Sequence, residues 1–298
     1  MNNYHLYEEI GHGKHSTVYK GRQRGTIQYV AIKSVDKTKR SRVLTEVAIS
    51  GSLSGPNICQ LSNWYETRNH LWIVAELCAG GDLGRVIKQD DRVQPEAQVR
   101  QLAAELVSGL LSIHSNNVIY ADLKPSNVLF TEAGVVKLSG FSVSQRVQDL
   151  ESALTDNKPV PRRGSPFYMS PELFFETGCH SFASDIWALG VVIYEMATGR
   201  TPFSHCSSFH ELQRAVMSSS PAPDLPEGSE ELKHLIARML AKDPTERIRW
   251  RELVAHPWWS QTASKDWQDA ANQIAPTEER FSQFLIRRPA KSRPSTRE

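Results

Sequence analysis

The hydrophobic pattern of this chain changes period at Gly80-Gly81, and no other feature of the sequence constrains its fold so strongly. Before that point, "YHLYEEI", "STVYKGRQR" and "TIQYVAIKSV" (residues 4–35) are rich in Tyr, Val and Ile, and Gly25 is placed to turn the second into the third. β-branched and aromatic residues suit a pleated, half-buried surface, so an antiparallel meander is expected here. A helix is expected around 41–53, and "LSNWYET" and "HLWIVAEL" flank Arg68-Asn69 as a further hairpin. After the glycine pair, Val99, Leu102, Ala103, Leu106, Val107, Leu110 and Leu111 recur at helical spacing behind Pro95, a residue suited to a first helical turn. A second helix around 184–197 is apolar nearly all round and belongs at the centre of a helical body, and Leu232, Leu235, Ile236, Met239 and Leu240 mark another. An α+β chain of two unlike lobes follows: residues 1–78 small and β-rich with one helix, residues 79–260 larger and mainly helical. Residues 261–298 read as an extension or linker, because 285–298 ("LIRRPAKSRPSTRE") holds five basic residues and little to bury.

Charge and cysteine usage exclude several roles. Lys and Arg total 35 against 33 for Asp and Glu, so a net charge of +2 provides no field to gather nucleic acid or an anionic membrane. Cys59, Cys78, Cys179 and Cys206 form no C-x-x-C pair, which argues against a zinc site or a disulfide framework and for a reducing, cytoplasmic setting. "IWALGVVIYEMA" is too short to cross a bilayer and contains Glu195.

Three segments carry chemistry. In "GHGKHSTVYKG" (11–21), Gly11 and Gly13 lie between two strands, where such a pair alone is most often a plain hairpin; a dinucleotide fold would need strand then helix. Lys33 interrupts the apolar run Val30-Ala31-Ile32, so its ammonium must meet an anion or reach solvent. Glu46, on the expected helix, is the candidate anion, although a lone helical Glu is also an ordinary solvated side chain. In "YADLKPSNVLF" (120–130), Asp122, Lys124 and Asn127 stand at i, i+2 and i+5 in a loop between a long helix and a short strand.

With those residues in order, and with Pro171-Glu172, Asp185-x-Trp187-x-x-Gly190 and Arg247 beyond them, the chain resembles a eukaryotic protein kinase domain over residues 4–259. The resemblance implies a bilobal kinase-like fold with an ATP cleft between the lobes. It implies that Val18, Ala31 and Leu129 sandwich the adenine and that Glu76 and Cys78 offer it backbone hydrogen bonds. Ala75 then stands at the gatekeeper position, Lys33 and Lys14 near the phosphates, and Glu172 with Arg247 as a buried structural ion pair.

The pattern breaks where the metal should be held. Tyr120-Ala121 replaces the His-Arg of the catalytic loop, which removes the arginine that reads activation-loop phosphorylation. In "VVKLSGFSVSQ" (135–145), Gly140 takes the place of the magnesium-ligating aspartate, Phe141 is kept, and Ser142 replaces the following glycine. Losing one preorganised charge-stabilising group costs about 10²–10³ in rate, or roughly 3–4 kcal/mol. Glu132 and Asp149 are the nearest carboxylates, without a geometric reason to substitute. Asn127 is the remaining candidate metal ligand. The expectation is a pseudokinase that binds ATP with little or no use of magnesium, Asp122 and Lys124 being present but unproductive. The alternative is a weakly active Ser/Thr kinase with atypical metal use.

"LYEEIGHGKHSTVYKGRQRGTIQYVAIKSVDK", "NWYETRNHLWIVAELCAGGDL" and "HSFASDIWALGVVIYEMATGR" resemble the RUNKEL branch of the family, related to the fourth unc-51-like kinase. That resemblance implies a monomeric kinase-like domain at the head of a longer helical-repeat protein. It further implies protein partners such as other kinases or microtubule-associated proteins, and a scaffolding role at the cytoskeleton or in cilia.

Overall fold

A computed structural model describes residues 3–13, 16–89, 94–260 and 262–287. The first lobe is a five-stranded antiparallel sheet in the order β1-β2-β3-β5-β4, built from β1 (Tyr4–Gly13), β2 (Ser16–Gln23), β3 (Tyr29–Asp36), β4 (Leu61–Glu66) and β5 (His70–Glu76). Gly25 adopts φ +75° in the β2–β3 turn, a left-handed conformation that glycine reaches without a Cβ clash. Alternation along β3 divides the sheet's two faces. Val30 and Ile32 pack with Val74, Tyr4, Tyr65 and Trp72, whereas Val35 packs with Leu71, Ile73 and Val43 of helix α1 (Arg40–Ser50). Helix α1 ends at Ser50, three residues earlier than the sequence suggests, and the N–H of the capping Gly51 closes the last turn onto Val47 O.

Residues 77–82 lead from β5 into the helical lobe. Its elements are α2 (Leu83–Gln89), α3 (Glu96–Ser115), the short strands β6 (Val118–Ile119), β7 (Val128–Phe130), β8 (Val136–Leu138) and β9 (Gln145–Arg146), then α4 (Val147–Thr155), α5 (Phe182–Thr198), α6 (Phe209–Met217), α7 (Glu230–Met239), α8 (Trp250–Val254) and α9 (Lys265–Ile286). Helix α5 is the central one, as its all-round apolar pattern predicts, and a Ser181–Ser184 capping box starts it. The expected ion pair is present: Arg247, fully buried, places two guanidinium nitrogens 2.8 and 3.0 Å from the Glu172 carboxylate oxygens.

Residues 265–286, placed in an extension or linker from sequence, form a helix seated on α3 and α8. Trp267, Ala271, Ile274 and Phe281 are buried along one side, Trp267 stands edge-on to Trp259, and its indole N–H donates to Ser108 Oγ at 2.8 Å. Pro276 interrupts the pattern that would otherwise announce this helix, but apolar contacts on both sides of the proline hold the two halves in line. The basic tail beyond Arg287 lies outside the described residues. None of the described helices is long and apolar enough to cross a membrane.

Candidate functional site

The cleft face of the first sheet is set by register. Val18 lies across from Lys33 and from Gly11 as well, and Ala31 lies across from Ala75. Directly opposed residues share a face and so do residues two apart on one strand, so Val18, Ala31, Lys33 and Ala75 project together. Helix α1 covers the inner end of that face, and Glu46, 7% exposed, meets Lys33 there: Nζ stands 2.7 and 3.0 Å from the two carboxylate oxygens. The expected pair therefore exists, and Glu46 is not a solvated side chain. Gly13 closes β1 beside Ser16 of β2. Lys14, the second expected phosphate cation, lies outside the described residues. At the far end, Glu76 spends its N–H on Gln60 O, while its carboxylate pairs with Lys137 at 2.9 Å. Cys78 follows in the connection to the second lobe. Leu129, on β7, bridges to Asp82 in the second lobe.

Across the cleft, the catalytic-type loop is a closed ring of hydrogen bonds. Asp122 Oδ2 accepts from Lys124 Nζ at 2.8 Å and from Asn127 Nδ2 at 3.0 Å, and Oδ1 accepts from Ser165 Oγ at 3.2 Å. Lys124 also donates to Ser165 Oγ at 2.8 Å. The loop hangs from Asp185, whose carboxylate accepts the N–H groups of Tyr120 and Ala121 at 2.7 and 2.8 Å. These bonds hold Ala121 at φ +68°, a conformation costly for a residue with a Cβ. His114 Nε2 is 2.8 Å from the same carboxylate and its Nδ1 accepts from the Trp250 indole, so the proton sits on Nε2 and is directed to Asp185.

Tyr120 has its own role in place of the expected histidine. It is wholly buried, its hydroxyl donates to Ser139 O, and its ring lies 5.4 Å from that of Phe141. Burial pushes its phenol well above the ordinary range, so it remains a neutral donor. Gly140, next in the turn, has φ +78°. A Cβ built there would lie 2.9 Å from Cγ and Oδ1 of Asn127 and 3.0 Å from Nδ2. The asparagine amide has thus settled over the glycine, with its Nδ2 turned to the Asp122 carbonyl at 2.7 Å. Glu132 and Asp149 do not join the site: Glu132 is exposed in the β7–β8 turn and Asp149 is exposed in the first turn of α4.

Sequence reasoning missed three contributors. Ser165 completes the ring around Asp122, and its proximity to Pro171-Glu172 was the available signal. Arg42, on α1, grips the degraded turn through Nε to Ser142 O (3.2 Å) and a terminal nitrogen to Ser142 Oγ (2.8 Å). Lys137 holds Glu76 at the edge of the connection. Neither Arg42 nor Lys137 has a local sequence signature, because each partner is 61 or more residues away.

Residues 4–259 match the family model described as protein kinase domain. Serine/threonine-protein kinase RUNKEL of Arabidopsis thaliana is 48% identical over 260 residues, covering 87% of this chain and 18% of that protein. Serine/threonine-protein kinase ULK4 of Mus musculus is 35% identical over 283 residues, covering 87% and 22%. Serine/threonine-protein kinase ULK3 of Homo sapiens is 35% identical over 263 residues, covering 85% and 54%. The chain spans about a fifth of the length of RUNKEL and of ULK4. A family match of this span, together with nearly half of the residues shared with RUNKEL across it, means that the chain belongs to the protein kinase domain family, in the branch of RUNKEL and ULK4.

Proposed function

We propose that the domain is a pseudokinase that binds ATP without requiring magnesium and serves as a scaffold or allosteric regulator of partner proteins. The observation that carries this reading is the Asn127 amide packed against Gly140, where a metal-bridging carboxylate would have to stand. Magnesium asks for near-octahedral oxygen donors. The oxygens left here are Asn127 Oδ1 and an Asp122 carboxylate already holding three hydrogen bonds, so the donor set does not fit that ion. The nucleotide side fits better. Lys33 is oriented by Glu46 for a phosphate, and the adenine-facing positions Val18, Ala31, Ala75 and Leu129 are small or apolar. Replacing a carboxylate by glycine also removes a negative charge that would repel a metal-free nucleotide. A second reading, a weakly active Ser/Thr kinase, is favoured by the intact ring of Asp122, Lys124, Asn127 and Ser165.

A thermal-shift titration with ATP in excess chelator tests the first reading. Saturation near 100 times Kd corresponds to about 2.7 kcal/mol of stabilisation. The expected outcome is stabilisation in chelator that added magnesium does not increase, with no radiolabelled phosphate transferred to a generic substrate. Absence of stabilisation in chelator would sink it, and transfer abolished by Asp122→Ala would establish the second reading instead. The scaffolding role is supported by the great length of RUNKEL and ULK4 beyond this domain. A cytoskeletal setting rests on the branch resemblance, and co-sedimentation with polymerised tubulin tests it.

A further inference from the structure

Cys59 and Cys78 are 19 residues apart and form no C-x-x-C pair. The fold brings them together. Cys59 lies just before β4 and Cys78 just after β5, and the antiparallel register that pairs Leu61 with Ala75 draws the two flanking segments side by side. The backbones are joined there by the Glu76 N–H to Gln60 O bond at 2.9 Å, and Glu76 returns a carboxylate oxygen to the Gln60 N–H at 3.2 Å. Cys59 Sγ stands 3.8 Å from Glu76 O, and the Cys78 thiol is its neighbour across the paired segments. Both side chains are only partly buried, unlike Cys179 and Cys206 in the second lobe.

We infer that Cys59 and Cys78 form a dithiol that a peroxide converts to a disulfide, fixing the connection between the lobes to the loop before β4. The chemistry is asymmetric. The neighbouring Cys59 thiol, helped by the nearby Lys137 ammonium, holds the Cys78 thiol below its ordinary value, although burial and the Glu76 carboxylate oppose the shift. The Cys78 thiol beside it and burial push Cys59 well up. Cys78 is therefore the attacking thiolate and Cys59 the resolving thiol. Cys78 sulfur attacks one peroxide oxygen, the O–O bond breaks, and a sulfenic acid and one water result. Cys59 sulfur then attacks the Cys78 sulfur, hydroxide leaves and takes the Cys59 proton, and a second water forms. Two thiols lose two electrons in total and the peroxide gains them. Neither cysteine lies within a strand, and closing the 2.03–2.05 Å S–S bond asks for side-chain rotation at Cys59 and movement in the connection that carries Cys78. The inference does not depend on nucleotide binding.

The test treats the whole reduced chain with hydrogen peroxide and maps thiols in a non-reducing digest. A mass loss of two hydrogens, a linked Cys59–Cys78 peptide and unchanged Cys179 and Cys206 are expected, with slower hydrogen exchange at amides 77–82 in the oxidised form. Before oxidation, Cys78 should react with iodoacetamide about tenfold faster than Cys59. In Cys59→Ser, Cys78 should stop at a sulfenic acid that dimedone captures. The inference is overturned if Cys78 over-oxidises while Cys59 remains a thiol, if another cysteine supplies the link, or if no thiols are lost. These outcomes are read on the unmutated chain, so a poorly folded variant would not rescue the idea.

Discussion

Gly140 is a site whose neighbours have adapted to the missing side chain. In a metal-using cleft a carboxylate projects from this position, but here Asn127 fills that direction and its amide is committed to Asp122. Restoring the carboxylate alone should not restore chemistry. Gly140→Asp must place a Cβ at φ +78° and displace Asn127, and backbone strain plus loss of the Asn127 bonds is expected to cost about 1–3 kcal/mol. A lower unfolding midpoint with no magnesium-dependent transfer is the expected result; an unchanged midpoint would show that Asn127 gives way freely. Much of this site was legible in the sequence, because Lys33, Glu46, Asp122, Lys124 and Asn127 keep fixed identities at fixed spacings. The state of Asn127 was not. Whether an amide faces a metal or folds back onto a glycine depends on atoms on both sides of the cleft, and only the glycine itself was visible as a string of letters.

At the scale of elements, Ser142 takes part in a clamp. Ser142 gives Arg42 of α1 a side-chain oxygen that glycine would lack, and this joins α1 to the turn beside the Lys33–Glu46 pair. Ser142→Gly removes one charge-assisted, partly exposed hydrogen bond, for an expected loss of about 1 kcal/mol. Amides of α1 should then exchange faster while those of α5 stay unchanged; uniform acceleration of both would argue against a local clamp. Helix α9 makes a different prediction. Burial pushes the Glu278 carboxyl up to about 7, despite the backbone N–H of Trp250 and the attraction of Arg249 and Arg251, with Glu252 adding repulsion. The folded state thus prefers the neutral acid. Its contribution is fully present below about 4.5 and is lost as pH rises through about 7, a change on the order of 3 kcal/mol. Glu278→Gln should flatten the stability profile between those values and raise the unfolding midpoint at pH 8. An unaltered profile in the glutamine variant would place the titration elsewhere. The sequence pattern hid this helix because Pro276 breaks its period, and it hid α4 because nine residues of mixed polarity give too little periodicity to read.

The whole molecule depends on how the two lobes are tied, since a cleft that binds nucleotide must have walls at a defined spacing. Beyond the 77–82 connection, a second tie runs through Asn57, just before β4 on the small-lobe side. Its carbonyl accepts the Leu138 N–H at 2.8 Å, and the Cys59 N–H donates to Leu138 O at 2.9 Å. Its side chain donates to Val136 O at 3.0 Å, and Glu105 of α3 receives both Asn57 Nδ2 and the Val136 N–H on one oxygen. Asn57 is 7% exposed, so its amide sits where an unmade hydrogen bond is costly. Asn57→Ala leaves the Val136 carbonyl and one Glu105 interaction without their donor, at an expected cost of about 1–3 kcal/mol and a fall of a few degrees in the unfolding midpoint. The location of the effect separates a tie between lobes from ordinary core stabilisation. Faster hydrogen exchange should appear together at 57–60, in the small lobe, and at 136–139, beside the degraded turn, with β1 and α7 unaffected. If exchange rises on one side alone, Asn57 is a local support and the lobes are held by the 77–82 connection.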